Sequence, residues 1–449
     1  MCLSSTLRNS ICLDDRSFGT FYWTAGCATS TLVHVKTAST SRTGVSTPVV
    51  ALMAIATGLS AGGNYLNQPL LDLIATEFDV SETAAATSVT VAQISYALGL
   101  LLIVPLGDVV DRRTLSVGLM ILAATGQAIT GFAPGLSWLL VGTAIAGLFS
   151  VAAQVIVPFA ASMAHPEQAG RIVGVVMGGL LTGILLARSI SGLLSSVTGW
   201  QGVYRVAAVL MLVAAAGLWR VLPRNTVTAD VTYGSALVSM VRLVRTHPRL
   251  RTRAVLGGLG FASVSTVFAT MTLLLSSRFG FGAVQIGLIG LAGVGGALMA
   301  SVAGRLADRG LVQWASGTCA VLLIALWPMF AVGGHYWVVF VVAFVLLDLA
   351  LQGVHVSNQH IVYALEPAAR ARINSVYMTT YFVGASAGSA VGTLAWKHFE
   401  WAGVCAAGAV FAVAALLVWL LDLQVDARRR RENTCGTPGG SEPTMVNSH

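Results

Sequence analysis

Twelve stretches of mostly apolar residues, each long enough to cross a bilayer as a helix, divide this chain and leave it few ways to fold. They lie at about residues 48–70, 84–106, 115–133, 137–161, 172–198, 202–222, 254–275, 283–303, 314–334, 336–362, 373–396 and 400–422. In hydrocarbon every backbone N–H and C=O must find its partner inside the protein, so runs of this length are helices. Composition agrees, with 55% hydrophobic and 10% charged residues and a mean hydropathy of +0.78. Soluble domains carry roughly 25% charged residues. Forty-eight glycines suit close helix packing in lipid, where small residues let backbones approach. The expected fold class is an all-α membrane protein with twelve transmembrane helices in two six-helix pseudo-symmetric halves.

The longest polar interruption divides the runs six and six. The sequence therefore reads as a polar, Ser/Thr-rich N-terminal tail (1–46), a first half (47–222), a central linker (223–253), a second half (254–423) and a polar tail (424–449). Both tails are expected to be disordered and cytoplasmic. The linker carries Arg242, Arg245, Arg249, Arg251 and Arg253, with an amphipathic helix expected around Tyr233 to Val244. Arg112, Arg113, Arg171, Arg305, Arg309, Arg370, Arg372 and Arg428 to Arg431 fall on the linker's side, opposite the acidic Asp72, Glu77, Asp79 and Glu82. The positive-inside rule then places both termini in the cytoplasm, and a plasma membrane, the bacterial inner membrane, is the expected location. The net charge of +8 is spread over these loops, with no single basic patch for nucleic acid. The six cysteines show no paired spacing for a metal or redox centre, and no cofactor is expected.

One run holds a polar seam. Asp348, Gln352, His355 and Gln359 recur at i, i+4, i+7 and i+11, a narrow strip on one helical face, with Asn358 beside it. Asp348 lies about 18 Å along its run, near the bilayer midplane. An ionisable group at that depth faces protein or water and marks a pathway or a binding site; the competing reading is an Asp that only bonds a neighbouring helix.

The halves repeat. Gly107-Asp108-Val109-Val110-Asp111-Arg112 after the second run matches Gly304-Arg305-Leu306-Ala307-Asp308-Arg309 after the eighth. A second correspondence, offset by 201 positions, pairs Arg171 with Arg372, Gly183 with Gly384 and Trp200 with Trp401. Such parallel repeats, related by an axis along the membrane normal, are a transporter architecture.

At these two loops the chain resembles the major facilitator superfamily of secondary transporters, whose loop after helix two reads Gly-x-x-x-Asp-Arg followed by Gly and further basic residues. Within it, Asn67-Gln68-Pro69-Leu70, Tyr96-Ala97-Leu98-Gly99-Leu100 and the stretch from Gly179 to Trp200 resemble the bacterial proton-coupled efflux group of drug, sugar and purine-nucleoside exporters. The resemblance implies a monomer in the lipid bilayer that moves a small molecule, with protons as coupling ion. It also implies that Gly107, Asp111, Arg112, Gly304, Asp308 and Arg309 latch the halves when the cavity opens outward. Three positions depart from the pattern: Thr114 replaces a loop glycine, Thr143 stands where many proton-coupled members carry an intramembrane Arg, and Ile184 replaces the antiporter-motif Pro.

Other polar residues fall within the runs. Arg188 needs a partner or a substrate anion, or else snorkels to the outer interface. Asn64, Asn67 and Gln68 share one face of the first run. Gln93, Tyr96, Gln154, Tyr377 and Tyr381 complete a set suited to an amphipathic organic solute, although each singly also reads as an interhelical hydrogen bond. An enzyme reading lacks a nucleophile elbow, a metal-ligand pair or a phosphate loop. A sensor reading lacks a signalling domain. The sequence is read as a secondary transporter exporting a small organic molecule against proton entry, with import of a small metabolite as the alternative.

Overall fold

The computed structural model describes residues 46–164, 166–224, 232–290, 309–366 and 369–435, together with residues 299, 302 and 306. The expected N-terminal tail and two latch residues, Gly304 and Asp308, lie outside the described residues, while Arg309 is exposed beside Gly310.

The described chain is helical throughout. The first half comprises α1 (Thr47–Gly62), α2 (Leu71–Phe78), α3 (Glu82–Leu102), α4 (Arg112–Gly131), α5 (Leu136–Phe149), α6 (Ala152–Met163) and α7 (Pro166–Val221). Helix α8 (Tyr233–Thr246) occupies the linker. The second half comprises α9 (Pro248–Phe279), α10 (Ala283–Ile289), α11 (Val312–Gly333), α12 (Trp337–Tyr363) and α13 (Arg370–Cys435). Nine segments among the described residues are long and apolar enough to span a membrane. Two of them are double, because α7 breaks at Gly199 (φ 69°) and α13 at Glu400 (φ 50°). Helix α10 begins the eighth expected run, which continues outside the described residues.

Local chemistry sets the ends. Pro48 and Pro248 open α1 and α9, where a missing N–H is no loss. Ser81 caps α3 by accepting from Ala84 N at 3.2 Å, and Gly280 closes α9 in the left-handed conformation. Three boundaries differ from the sequence reading. The first span runs on through 3₁₀ turns (Gly63–Tyr65, Gln68–Leu70) into α2, so Asp72 and Glu77 are helical and not loop residues. Arg253, assigned to the linker, is inside α9 and fully buried. Helix α13 continues to Cys435 where a disordered tail was expected from 424, because Ala427 and the arginines after it are good helix formers.

The two halves repeat in three dimensions. Gly183 of α7 packs on Gly58 of α1, and a Cβ there would lie 2.3 Å from the Gly58 backbone. Its counterpart Gly384 in α13 packs on Gly258 of α9, where a Cβ would lie 2.0 Å from the carbonyl oxygen. No side chain fits at either crossing, so the sequence-level match of these glycines is a match of helix contacts. Helix α9 is enclosed almost completely, while Val197, Val213 and Leu417 are left on the outside as lipid-facing surface.

Candidate functional site

A cavity of about 860 Å³ separates the halves. It runs from Tyr65, Arg188 and Phe268 to Gly107, Arg112, Arg370 and Arg372, the face that bears the arginine loops. The opposite end is sealed by contacts between the halves. Ser189 Oγ donates to Gly287 O at 2.7 Å, Thr272 Oγ1 donates to Gln68 O at 2.5 Å, and Gly192 lies so close to Ala283 that a Cβ would come within 2.3 Å of its carbonyl oxygen.

Asp348, Gln352, His355 and Gln359 all line the cavity from α12, along one face of the helix. Asn358 does not. It lies about 80–100° round the helix from that strip, fully buried, with Nδ2 donating to Arg253 O at 3.3 Å and Oδ1 accepting from Arg253 Nη1 at 3.1 Å. Behind the cavity wall Tyr377 OH lies 3.1 Å from His355 Nδ1. The His355 ring also faces Tyr381, a cavity residue, with centroids 4.6 Å apart.

Arg188 turns inward and does not snorkel; it is only 4% exposed. Its Nε donates to Gln68 Oε1 at 2.6 Å, and its guanidinium lies 4.2 Å from the Phe268 ring centroid and 5.0 Å from that of Tyr65. The charges of Arg188 and Asp348 interact, one from each half of the protein. Gln154 lines the cavity and accepts from Asn374 Nδ2 at 3.4 Å, again across the halves. Tyr96 lies behind the wall against Phe382, with ring centroids 4.5 Å apart. Gln93 is buried outside the lining. Gln68 touches the cavity only through Arg188, and Asn64 is not in the wall: the 3₁₀ turn at Gly63–Tyr65 breaks the expected common face and presents Tyr65 instead.

At the cavity mouth Arg112 Nε donates to Gly107 O at 3.0 Å, and both residues line the wall. Asp111 caps its own helix α4, accepting from Thr114 N at 3.0 Å and Thr114 Oγ1 at 2.7 Å. The departure at Thr114 thus supplies a second donor to the loop carboxylate.

Sequence reasoning missed Asn374, Arg370 and Arg372 as wall residues and the whole buried set around Arg253. The equivalence of Arg171 and Arg372 was a signal for one of them. Asn374 follows Arg370 by one helical turn, which was another.

A sequence model described as Major Facilitator Superfamily matches residues 53–360. The chain belongs to this superfamily. It is 45% identical over 376 residues to the uncharacterized transporter YgaY of Escherichia coli O157:H7, covering 84% of this chain and 95% of that one. A probable transporter of Streptomyces coelicolor is 32% identical over 365 residues, covering 81% and 84%. Among solved structures, a bacterial homologue of the human lysosomal transporter Spinster, in an inward-facing and occupied conformation, superimposes with a TM-score of 0.66 at 14% identity, covering 84% of this chain and 96% of that chain. This superfamily member is a multi-pass membrane transporter with a helical major facilitator fold.

Proposed function

We propose that the protein exports a small organic molecule in exchange for protons by alternating access, with Asp348 as the group that carries the proton. The observation that supports this most is the placement of Asp348 near the middle of α12, on the wall of a cavity shared by both halves. A charged carboxylate there is costly to move between media unless it is paired or neutralised. Protonation removes that charge, so proton loading and the exchange of halves are linked through one atom group. The arginine-bearing face is taken as cytoplasmic by the positive-inside rule, so the cavity in this state admits substrate from inside. The Ser189–Gly287 and Thr272–Gln68 contacts then form the outer seal that opens in the alternate state. The likeness of Asn67-Gln68-Pro69-Leu70 and of the Gly179-to-Trp200 stretch to the efflux group favours export.

The test is transport by purified protein in liposomes with and without an imposed pH gradient. Asp348→Asn keeps the shape and much of the hydrogen bonding but cannot titrate. It is expected to abolish gradient-driven movement while leaving ligand binding and passive exchange partly intact. Full pH-driven transport by Asp348→Asn would assign coupling to another group.

A further inference from the structure

The two charges in the cavity define what it accepts. Arg188 is pre-set rather than free: Gln68 holds Nε, and the Phe268 and Tyr65 rings flank the guanidinium plane. Among the described residues the guanidinium donates one hydrogen bond, from Nε, and Arg188 lines the cavity. A planar guanidinium fixed in this way matches a carboxylate in a two-point hydrogen bond. On the facing half, Asp348 presents a carboxyl group to the same space, and its charge reaches Arg188, Tyr65 and Tyr381. The cavity lining also includes the apolar Phe261, Phe382, Met177 and Met378.

Charge matching narrows the ligand. A purely anionic molecule at Arg188 brings its charge towards Asp348, a purely cationic one at Asp348 brings its charge towards Arg188, and a neutral one displaces water from both and supplies a countercharge to neither. We propose, on the transporter reading above, that the cavity binds a zwitterion with an apolar or aromatic body, its carboxylate on Arg188 and its ammonium on Asp348. The cavity volume suits a molecule of amino-acid to dipeptide size, since organic ligand pockets span roughly 300–1,000 Å³. The arrangement also gives exchange a physical basis, because the ligand's ammonium and the proton compete for one carboxyl group. Among the described residues, the charged and titratable groups that feel Asp348 include Arg188, Tyr65 and Tyr381, with His355 two turns along its own helix.

The probes are phenylalanine and phenylalanylphenylalanine, which carry the same two charges at short and long separation. Each is compared with its N-acetyl form (anion only), its amide (cation only) and its N-acetyl amide (neutral). Binding is read by calorimetry on the full-length protein, and flux by uptake into liposomes. At least one zwitterion is expected to bind, with each single-charge analogue at least tenfold weaker. Arg188→Gln should remove the advantage of the carboxylate and Asp348→Asn that of the ammonium, and Arg188→Lys should recover part of the former. Because the analogues vary the ligand, the charge test stands even if a variant fails to fold. No binding by either zwitterion up to millimolar concentration overturns the proposal, as does equal or tighter binding of the neutral form. Flux of the neutral or single-charge forms without the zwitterions would retain transport and discard this substrate class. Zwitterion binding with the double charge dependence but no flux would retain the class and discard transport.

Discussion

Arg253 and Asp422 pair in the second half with neither side chain exposed to solvent, Arg253 Nε donating to Asp422 Oδ2 at 2.9 Å. Thr252 Oγ1 donates to the other carboxylate oxygen at 2.5 Å, and Arg253 Nη1 reaches Ser316 and Asn358, each at 3.1 Å. One guanidinium thus joins α9, α11, α12 and α13. Asn358 lies one turn along α12 from His355, which lines the cavity wall.

Breaking one member of a buried ion pair strands the other charge, at a cost of about 3–5 kcal/mol. Asp422→Asn is therefore expected to lower the thermal stability of the detergent-purified protein sharply. The double change Arg253→Met with Asp422→Leu should restore much of it, since apolar replacement of a whole pair is often neutral. An Asp422→Asn melting temperature equal to that of the wild type would show that the pair does not stabilise the fold.

Gly192 closes the sealed end against Ala283 and Gly287 of the other half. A side chain there opposes this state but not one in which the halves part, and overpacking costs about 1–3 kcal/mol. Gly192→Val should therefore shift the population towards the opposite opening by roughly tenfold or more. A cysteine at the cavity residue Ile184 should then react faster with impermeant reagent added from the side opposite the arginine loops. Unchanged labelling would count against a moving seal at Gly192.

Asp111 caps α4 and directly precedes Arg112, which lines the cavity mouth. Asn caps helices as well as Asp, whereas Ala loses about 1 kcal/mol. Asp111→Asn should leave stability unchanged and reduce turnover, while Asp111→Ala should reduce both. Wild-type turnover in Asp111→Asn would make this residue a cap alone.

Tyr377 OH lies 3.1 Å from Nδ1 of the cavity histidine His355. Tyr377→Phe keeps the ring and removes the hydroxyl, a loss of about 1 kcal/mol for a typical hydrogen bond. A severalfold fall in turnover with only this small change in stability is expected, measured by liposome flux alongside thermal unfolding. A rate equal to wild type would show that His355 needs no such support.

The sequence by itself determined the helical class and the repeat. Lipid admits only internally bonded backbone, and glycines such as Gly183 and Gly384 recur wherever two backbones must touch. It also determined the Asp348–Gln352–His355–Gln359 strip, because helical periodicity alone puts those residues on one face. Periodicity does not say which face meets which neighbour. Only the tertiary structure decided that Asn358 points at Arg253, that the 3₁₀ turn brings Tyr65 rather than Asn64 to the wall, and that Arg188 turns inward between two rings. The Arg253–Asp422 pair, 169 residues apart in the chain, was hidden for the same reason. A buried charge is tolerated only beside a partner, and partners distant in sequence are chosen by packing.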